Sequence, residues 1–138
     1  MKRLGIYFFF DKDGIVDKYV DYVLEDLTKH VDKLIVVCNG QLNERGRKTF
    51  EKFTGNIIVR ENKGFDVWAY KTAIDSEGWN KLIEYDEIIL MNYTIMGPVY
   101  PLKEMFDIMD KRLELDFWGI TKCFQENSPV AQQIWQCP

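Results

Sequence analysis

The chain opens on an unbroken apolar run, Leu4-Gly5-Ile6-Tyr7-Phe8-Phe9-Phe10, which stops at Asp11-Lys12-Asp13-Gly14. A run without polar alternation, closed by a turn, predicts a central strand buried on both faces. Val16, Tyr19, Val20, Val23, Leu24 and Leu27 then recur at spacings of three and four, which predicts an amphipathic packing helix from Val16 to Lys29. Lys33 to Cys38 reads as a second buried strand, ended by the turn dipeptide Asn39-Gly40. Asn43 is placed to cap a helix reaching Phe53, and Asn56 to Arg60 follows as a third strand.

A third helix is expected from Phe65 to Ser76, where Gly78 interrupts the pattern and Trp79 to Tyr85 makes a short helical turn. Glu87 to Met91 is the fourth strand, Leu102 to Lys111 the fourth helix and Asp116 to Ile120 the fifth strand. Strands alternating with helices imply an α/β domain with a parallel sheet and right-handed crossovers. From Cys123 the pattern dissolves into a tail carrying Gln125, Gln132, Gln133 and Gln136. The expected organisation is one α/β domain over 1–122 and an irregular tail over 123–138, with no internal repeat.

Composition narrows the function classes. At 138 residues, 46% of them hydrophobic and 14% aromatic, there is material for one well-filled core. Eighteen basic and 22 acidic residues are interspersed and leave a net charge of −4, which argues against a nucleic-acid partner. No apolar run approaches the roughly 20 residues that span a bilayer, and no cleavage site follows Phe10, so a cytoplasmic location is expected. Cys38, Cys123 and Cys137 are odd in number and share only His30 as a possible imidazole partner, so neither a disulfide framework nor a zinc site is indicated.

In a parallel α/β sheet, ligands bind at the carboxyl ends of the strands, where loops and helix N-termini converge. That selects Asp11 and Asp13, Asn39 and Gly40, Glu61 to Asp66, Asn92 to Gly97, and Thr121-Lys122. Asp11-Lys12-Asp13-Gly14 after an apolar strand looks like the nucleophile motif of haloacid-dehalogenase phosphatases, with Asp11 attacking phosphorus beside a magnesium ion. Against that reading, Cys38 stands where a hydroxyl is needed, and Asp86-Glu87 precede their strand instead of following it. Asp11 and Asp13 serve equally to shape a turn that faces the next helix. A receiver domain, with Thr94 and Lys122 as switch residues, would need an aspartate where Glu61 stands.

The stretch Arg60-Glu61-Asn62-Lys63-Gly64-Phe65-Asp66-Val67-Trp68-Ala69-Tyr70 is more informative. Gly64 lets backbone approach an anionic ligand where a helix begins. Asn62 offers an amide donor and acceptor, and Asp66 an acceptor for a base or ribose hydroxyl. The same residues also suit a plain capped loop, with Asn62 as cap and Asp66 complementing the macrodipole. Trp68 and Tyr70 read as packing residues. Asn92-Tyr93-Thr94-Ile95-Met96-Gly97-Pro98 offers a stiff, mixed-polarity loop suited to a ligand wall or to a structural turn.

On Asp11-Lys12-Asp13-Gly14-Ile15-Val16-Asp17, Glu61 to Asp66, Leu90-Met91-Asn92 with Gly97-Pro98, Pro101 to Phe106, and Asp116 to Thr121, the chain resembles the rhamnan synthesis protein F family. These are glycosyltransferase-like proteins of bacterial surface polysaccharide assembly. The resemblance implies a Rossmann-like, three-layer parallel sheet forming the N-terminal half of a glycosyltransferase A-type fold. It implies rhamnosyl transfer from dTDP-rhamnose to a lipid-linked glycan, with peripheral association with membrane assembly machinery at the inner face of the plasma membrane. Asp11, Asn39, Asn62, Gly64, Asp66 and Asn92 form the implied nucleotide-sugar-binding set, with Asn92 at the sugar-phosphate edge. A divalent cation, magnesium or manganese, is the implied cofactor, but Tyr93 stands where the family carries an acidic residue. Trp68-Ala69-Tyr70 replaces the more usual Gly-Ala-Trp and narrows the pocket beside Asp66. The family continues into an acceptor-binding half, so the tail is expected to be a truncated continuation, and a non-catalytic nucleotide-binding remnant is the alternative.

Overall fold

The computed structural model describes residues 1–120. Thr121, Lys122 and the tail from Cys123 lie outside the described residues. The chain divides into two compact units, Met1–Tyr100 and Pro101–Pro138.

The first unit is built on four parallel strands, β1 (Arg3–Asp11), β2 (Lys33–Gly40), β3 (Ile57–Arg60) and β4 (Glu87–Asn92), in the order β3-β2-β1-β4. Four helices connect them: α1 (Lys18–Leu27), α2 (Glu44–Glu51), α3 (Phe65–Glu77) and α4 (Trp79–Leu82). The first two crossovers step from β1 to β3 in one direction, and the third returns past β1 to β4. Right-handed crossovers therefore put α1 and α2 on one face and α3 and α4 on the other. This is an α/β fold with an all-parallel, Rossmann-like sheet.

The unbroken apolar run of β1 serves both faces. Tyr7 and Phe9 meet Phe50 of α2, with ring centroids 6.5 and 5.3 Å apart. Leu4, Ile6 and Phe8 pack with Ile35 and Val37 of β2 against Ala69 and Ala73 of α3 and Leu82 of α4. Alanine at 69 and 73 lets α3 lie close to the sheet. In α1 the buried residues are Val20, Val23, Leu24 and Leu27, the stripe its spacing predicts. Cys38 is fully buried, and burial pushes its thiol up to about 12, which keeps it protonated and inert.

Two expectations are corrected. Asn39-Gly40 does not form a turn outside the strand: the two residues continue β2, in register with Phe10 and Asp11. Asn39 can do this because its fully buried amide finds partners on both sides, and the chain bends only at Gly40, where φ is +80°. Asp116 to Ile120 is not a strand. It carries a single bridge residue, Gly119, while Phe117 and Ile120 stand exposed, so the segment lacks the buried face that fixes a strand.

In the second unit, Pro101 precedes helix α5 (Leu102–Met109), where its missing N–H is harmless. Phe106 of α5 meets Trp118 edge-on at 5.8 Å. Among the described residues no helix is long and apolar enough to cross a membrane.

Candidate functional site

The strand order reverses at β1, whose neighbours β2 and β4 are reached through opposite faces. A ligand crevice in such a sheet opens beyond the carboxyl ends of the strands at that point. Asp11, Gly40, Arg60 and Asn92 are the last residues of the four strands.

The loop after β3 and Phe65, the first residue of α3, are held by polar contacts from beneath. Asn39 is fully buried, its Nδ2 donates to the Phe65 carbonyl at 3.1 Å, and its Oδ1 accepts from Arg60 Nη1 at 2.6 Å. The same nitrogen of Arg60 donates to the Lys63 carbonyl at 3.0 Å. Gly64 and Phe65 are consecutive left-handed residues, with φ of +73° and +54°, and α3 starts directly from them. A Cβ on Gly64 would stand 2.3 Å from Cγ of Trp68, whose indole lies over the glycine. Phe65 is 82% exposed despite its strained backbone.

Asp66 opens α3. Its Oδ1 accepts from the Val67 N–H at 2.9 Å, and its Oδ2 faces Asn92 Nδ2 at 3.5 Å. Asn92 in turn accepts, through Oδ1, from the backbone N–H and the hydroxyl of Thr94, at 3.1 and 2.5 Å. The fold thus brings together two sequence-predicted residues 26 positions apart. Tyr70, one turn into α3, is pushed up to about 12 by burial and by the Asp66 charge, so it remains a neutral phenol beside that carboxylate. Asn62 is exposed and lies over Gly40, where a built Cβ would be 3.8 Å from its own Cβ.

Asp11 is turned to other work. Its Oδ1 accepts from the N–H groups of Asp13 and Ile15 at 2.9 and 2.8 Å, closing the turn at Gly14. Gly14 abuts the loop after β2: its carbonyl accepts from the Asn43 N–H at 3.1 Å, and Gln41 Nε2 donates to the Lys12 carbonyl at 2.6 Å. Asp11 therefore closes its own loop, which the Gly14 and Lys12 carbonyls tie to the loop after β2, while Asp66 and Asn92 face each other.

Two residues matter here beyond the predicted set. Arg60 braces the loop, and its partner was hidden because only the β2–β3 register sets Arg60 beside Asn39. Tyr93 packs edge-on against Phe8 and Phe9, with centroids 5.6 and 5.8 Å away, and its carbonyl accepts from Tyr19 Oη at 2.7 Å. Its aromatic character after an apolar strand was the available signal. The implied divalent cation would find one carboxylate here, Asp66, next to an amide and a phenol. Among the described residues no group of three or more His, Cys, Asp or Glu could hold a metal ion, so this donor set does not fit one.

The family model of rhamnan synthesis protein F matches residues 34–135, most of the chain and all of the loop-and-helix segment that carries Asn39, Arg60, Gly64, Asp66 and Asn92. The chain belongs to the rhamnan synthesis protein F family. Membership points to a role in rhamnan or polysaccharide synthesis. No curated protein and no solved structure matches the chain.

Proposed function

We propose that the chain is the donor-binding part of a nucleotide-sugar-dependent glycosyltransferase of A-type fold, transferring rhamnose from dTDP-rhamnose to a lipid-linked glycan. The observation that carries this reading is the approach of Asp66 to Asn92 at the carboxyl edge of the sheet, beside the glycine that opens α3. Asp66 and Asn92 are the acceptor and donor for ribose or sugar hydroxyls, the backbone at the start of α3 takes the diphosphate beside Gly64, whose missing side chain makes room for the Trp68 indole, and Asn62 lies at the rim. Asn39 and Asp11 shape the two loops that border the site. The leaving diphosphate needs positive potential, for which the start of α3 and the exposed Lys63 are the nearby sources. Cytoplasmic action at the inner face of the membrane accords with an acceptor carried on lipid.

A ligand that binds only the folded state raises its stability. Millimolar dTDP is expected to raise the melting temperature of the full chain, dTDP-rhamnose to raise it further, and Asp66→Ala to reduce both shifts without lowering the ligand-free value by more than a degree or two. Repeating the titration with magnesium, manganese and a chelator tests cation dependence. The absence of any shift with the wild-type chain would remove the donor-binding reading and leave a structural member of the family.

A further inference from the structure

The bracing of the loop after β3 and of Phe65 carries a consequence for the donor site. A non-glycine residue persists in the left-handed region only where its surroundings over-determine it, and Phe65 does so while its ring stands in solvent. What fixes it lies underneath: the fully buried amide of Asn39 holds the Phe65 carbonyl, and Arg60 holds both Asn39 and the Lys63 carbonyl. The two held carbonyls flank Gly64. Asn39 is enclosed and has both amide groups engaged, so its effect on a ligand must pass through the loop.

We infer that Arg60 is a positioning residue of the donor site, acting through Asn39 to hold the Lys63-Gly64-Phe65 backbone in its ligand-ready form. This rests on the donor-binding reading proposed above. A loop ordered beforehand saves the ligand the entropy of ordering it, so loss of the brace weakens affinity without removing any ligand contact. Both hydrogen bonds of Arg60 leave a single nitrogen, Nη1. A lysine ammonium, one atom shorter but with three donors on a flexible stem, can therefore take up both bonds, whereas an apolar side chain cannot.

The test is calorimetric titration of the full chain with dTDP, using Arg60→Met, Arg60→Lys, Asn39→Leu and the double variant Asn39→Leu/Arg60→Met. Arg60→Met and Asn39→Leu are each expected to weaken binding about tenfold. Arg60→Lys should stay within about threefold of wild type, and the double variant should be about as weak as either single one, because the two residues form one unit. Wild-type affinity in Arg60→Met overturns the inference, as does Arg60→Lys as weak as Arg60→Met. So does a double variant weakened by the product of the two single losses, which would show that Arg60 does not act through Asn39. If Asn39→Leu fails to fold, the two Arg60 variants decide, since their side chain ends the edge strand and leaves the core intact. A wild-type chain that gives no heat with dTDP overturns the donor-binding reading itself, and the positioning role with it.

Discussion

Two glycines with positive φ but different ψ set the cost of a backbone that disfavours side chains beside the cost of a clash. Gly64, at φ +73° and ψ 20°, is left-handed helical, whereas Gly78, at φ +82° and ψ 142°, lies towards the region reserved for glycine. A Cβ on Gly64 would meet three atoms of the Trp68 ring within 2.7 Å, and one on Gly78 meets nothing within 4 Å. Gly78→Ala should therefore lose about 1–3 kcal/mol of stability through backbone strain alone. Gly64→Ala carries the left-handed penalty of about 1 kcal/mol and must also displace the indole, so its loss should reach about 2–3 kcal/mol. Urea-unfolding midpoints of the two variants compare them directly. A Gly64→Ala loss no larger than the left-handed penalty of about 1 kcal/mol would show that Trp68 swings aside freely and that its seat over Gly64 contributes nothing.

At the scale of elements, α2 shows how a short helix is fixed at its start. With eight residues it is too short to persist alone, and Asn43 supplies its cap by accepting from the Gly46 N–H at 2.6 Å. Gly46 is itself confined, since a Cβ there would stand 2.8 Å from Val16 Cγ2 and 3.0 Å from the Gly14 carbonyl. Asn43→Ala should cost about 1 kcal/mol in a thermal melt and Asn43→Asp very little, because aspartate offers the same acceptor. That cap was readable from the residues, as were the helical stripe of α1 and the apolar run of β1, since each is a local pattern. Asn39-Gly40 was misread because the dipeptide's turn preference was overridden by pairing with Phe10 and Asp11, which no local pattern records. Asp116 to Ile120 was misread for the opposite reason: its apolar residues imitate a strand without finding a buried face. In the site, Gly64 and Asp66 were legible from their place at a helix start. The approach of Asp66 to Asn92 depends on β4 returning beside β1, and the Asn39–Arg60 pair depends on strand register.

Across the first unit as a whole, the two ends of the sheet do different work. The carboxyl edge bears the exposed loops of the candidate site, while the amino edge is tied by charge. There, Arg3 Nε pairs with Glu87 at 2.5 Å, Asp32 accepts from the Arg3 N–H at 2.7 Å, and Asp86 accepts from the Lys2 N–H at 2.6 Å. Glu77, at the end of α3, is buried, and it receives Lys33 Nζ from the start of β2 at 2.5 Å and Tyr85 Oη at 3.0 Å. The Lys33 hydrogen bond, with a smaller contribution from Tyr85, holds the Glu77 carboxyl below its ordinary value. A carboxylate whose folded pKa is depressed stabilises the fold fully above its unfolded value, near 4.3, and loses that contribution as pH falls through the lower folded value. Glu77→Gln keeps the shape but removes the charge, leaving Lys33 without its counter-ion, so it should cost on the order of 1–3 kcal/mol at pH 7. The gap between wild type and variant should then narrow as pH is lowered from 5 towards 2, as urea unfolding at successive pH values would show. A gap that stays constant over that range would mean that Glu77 is held by packing alone and that the amino edge owes nothing to this charge.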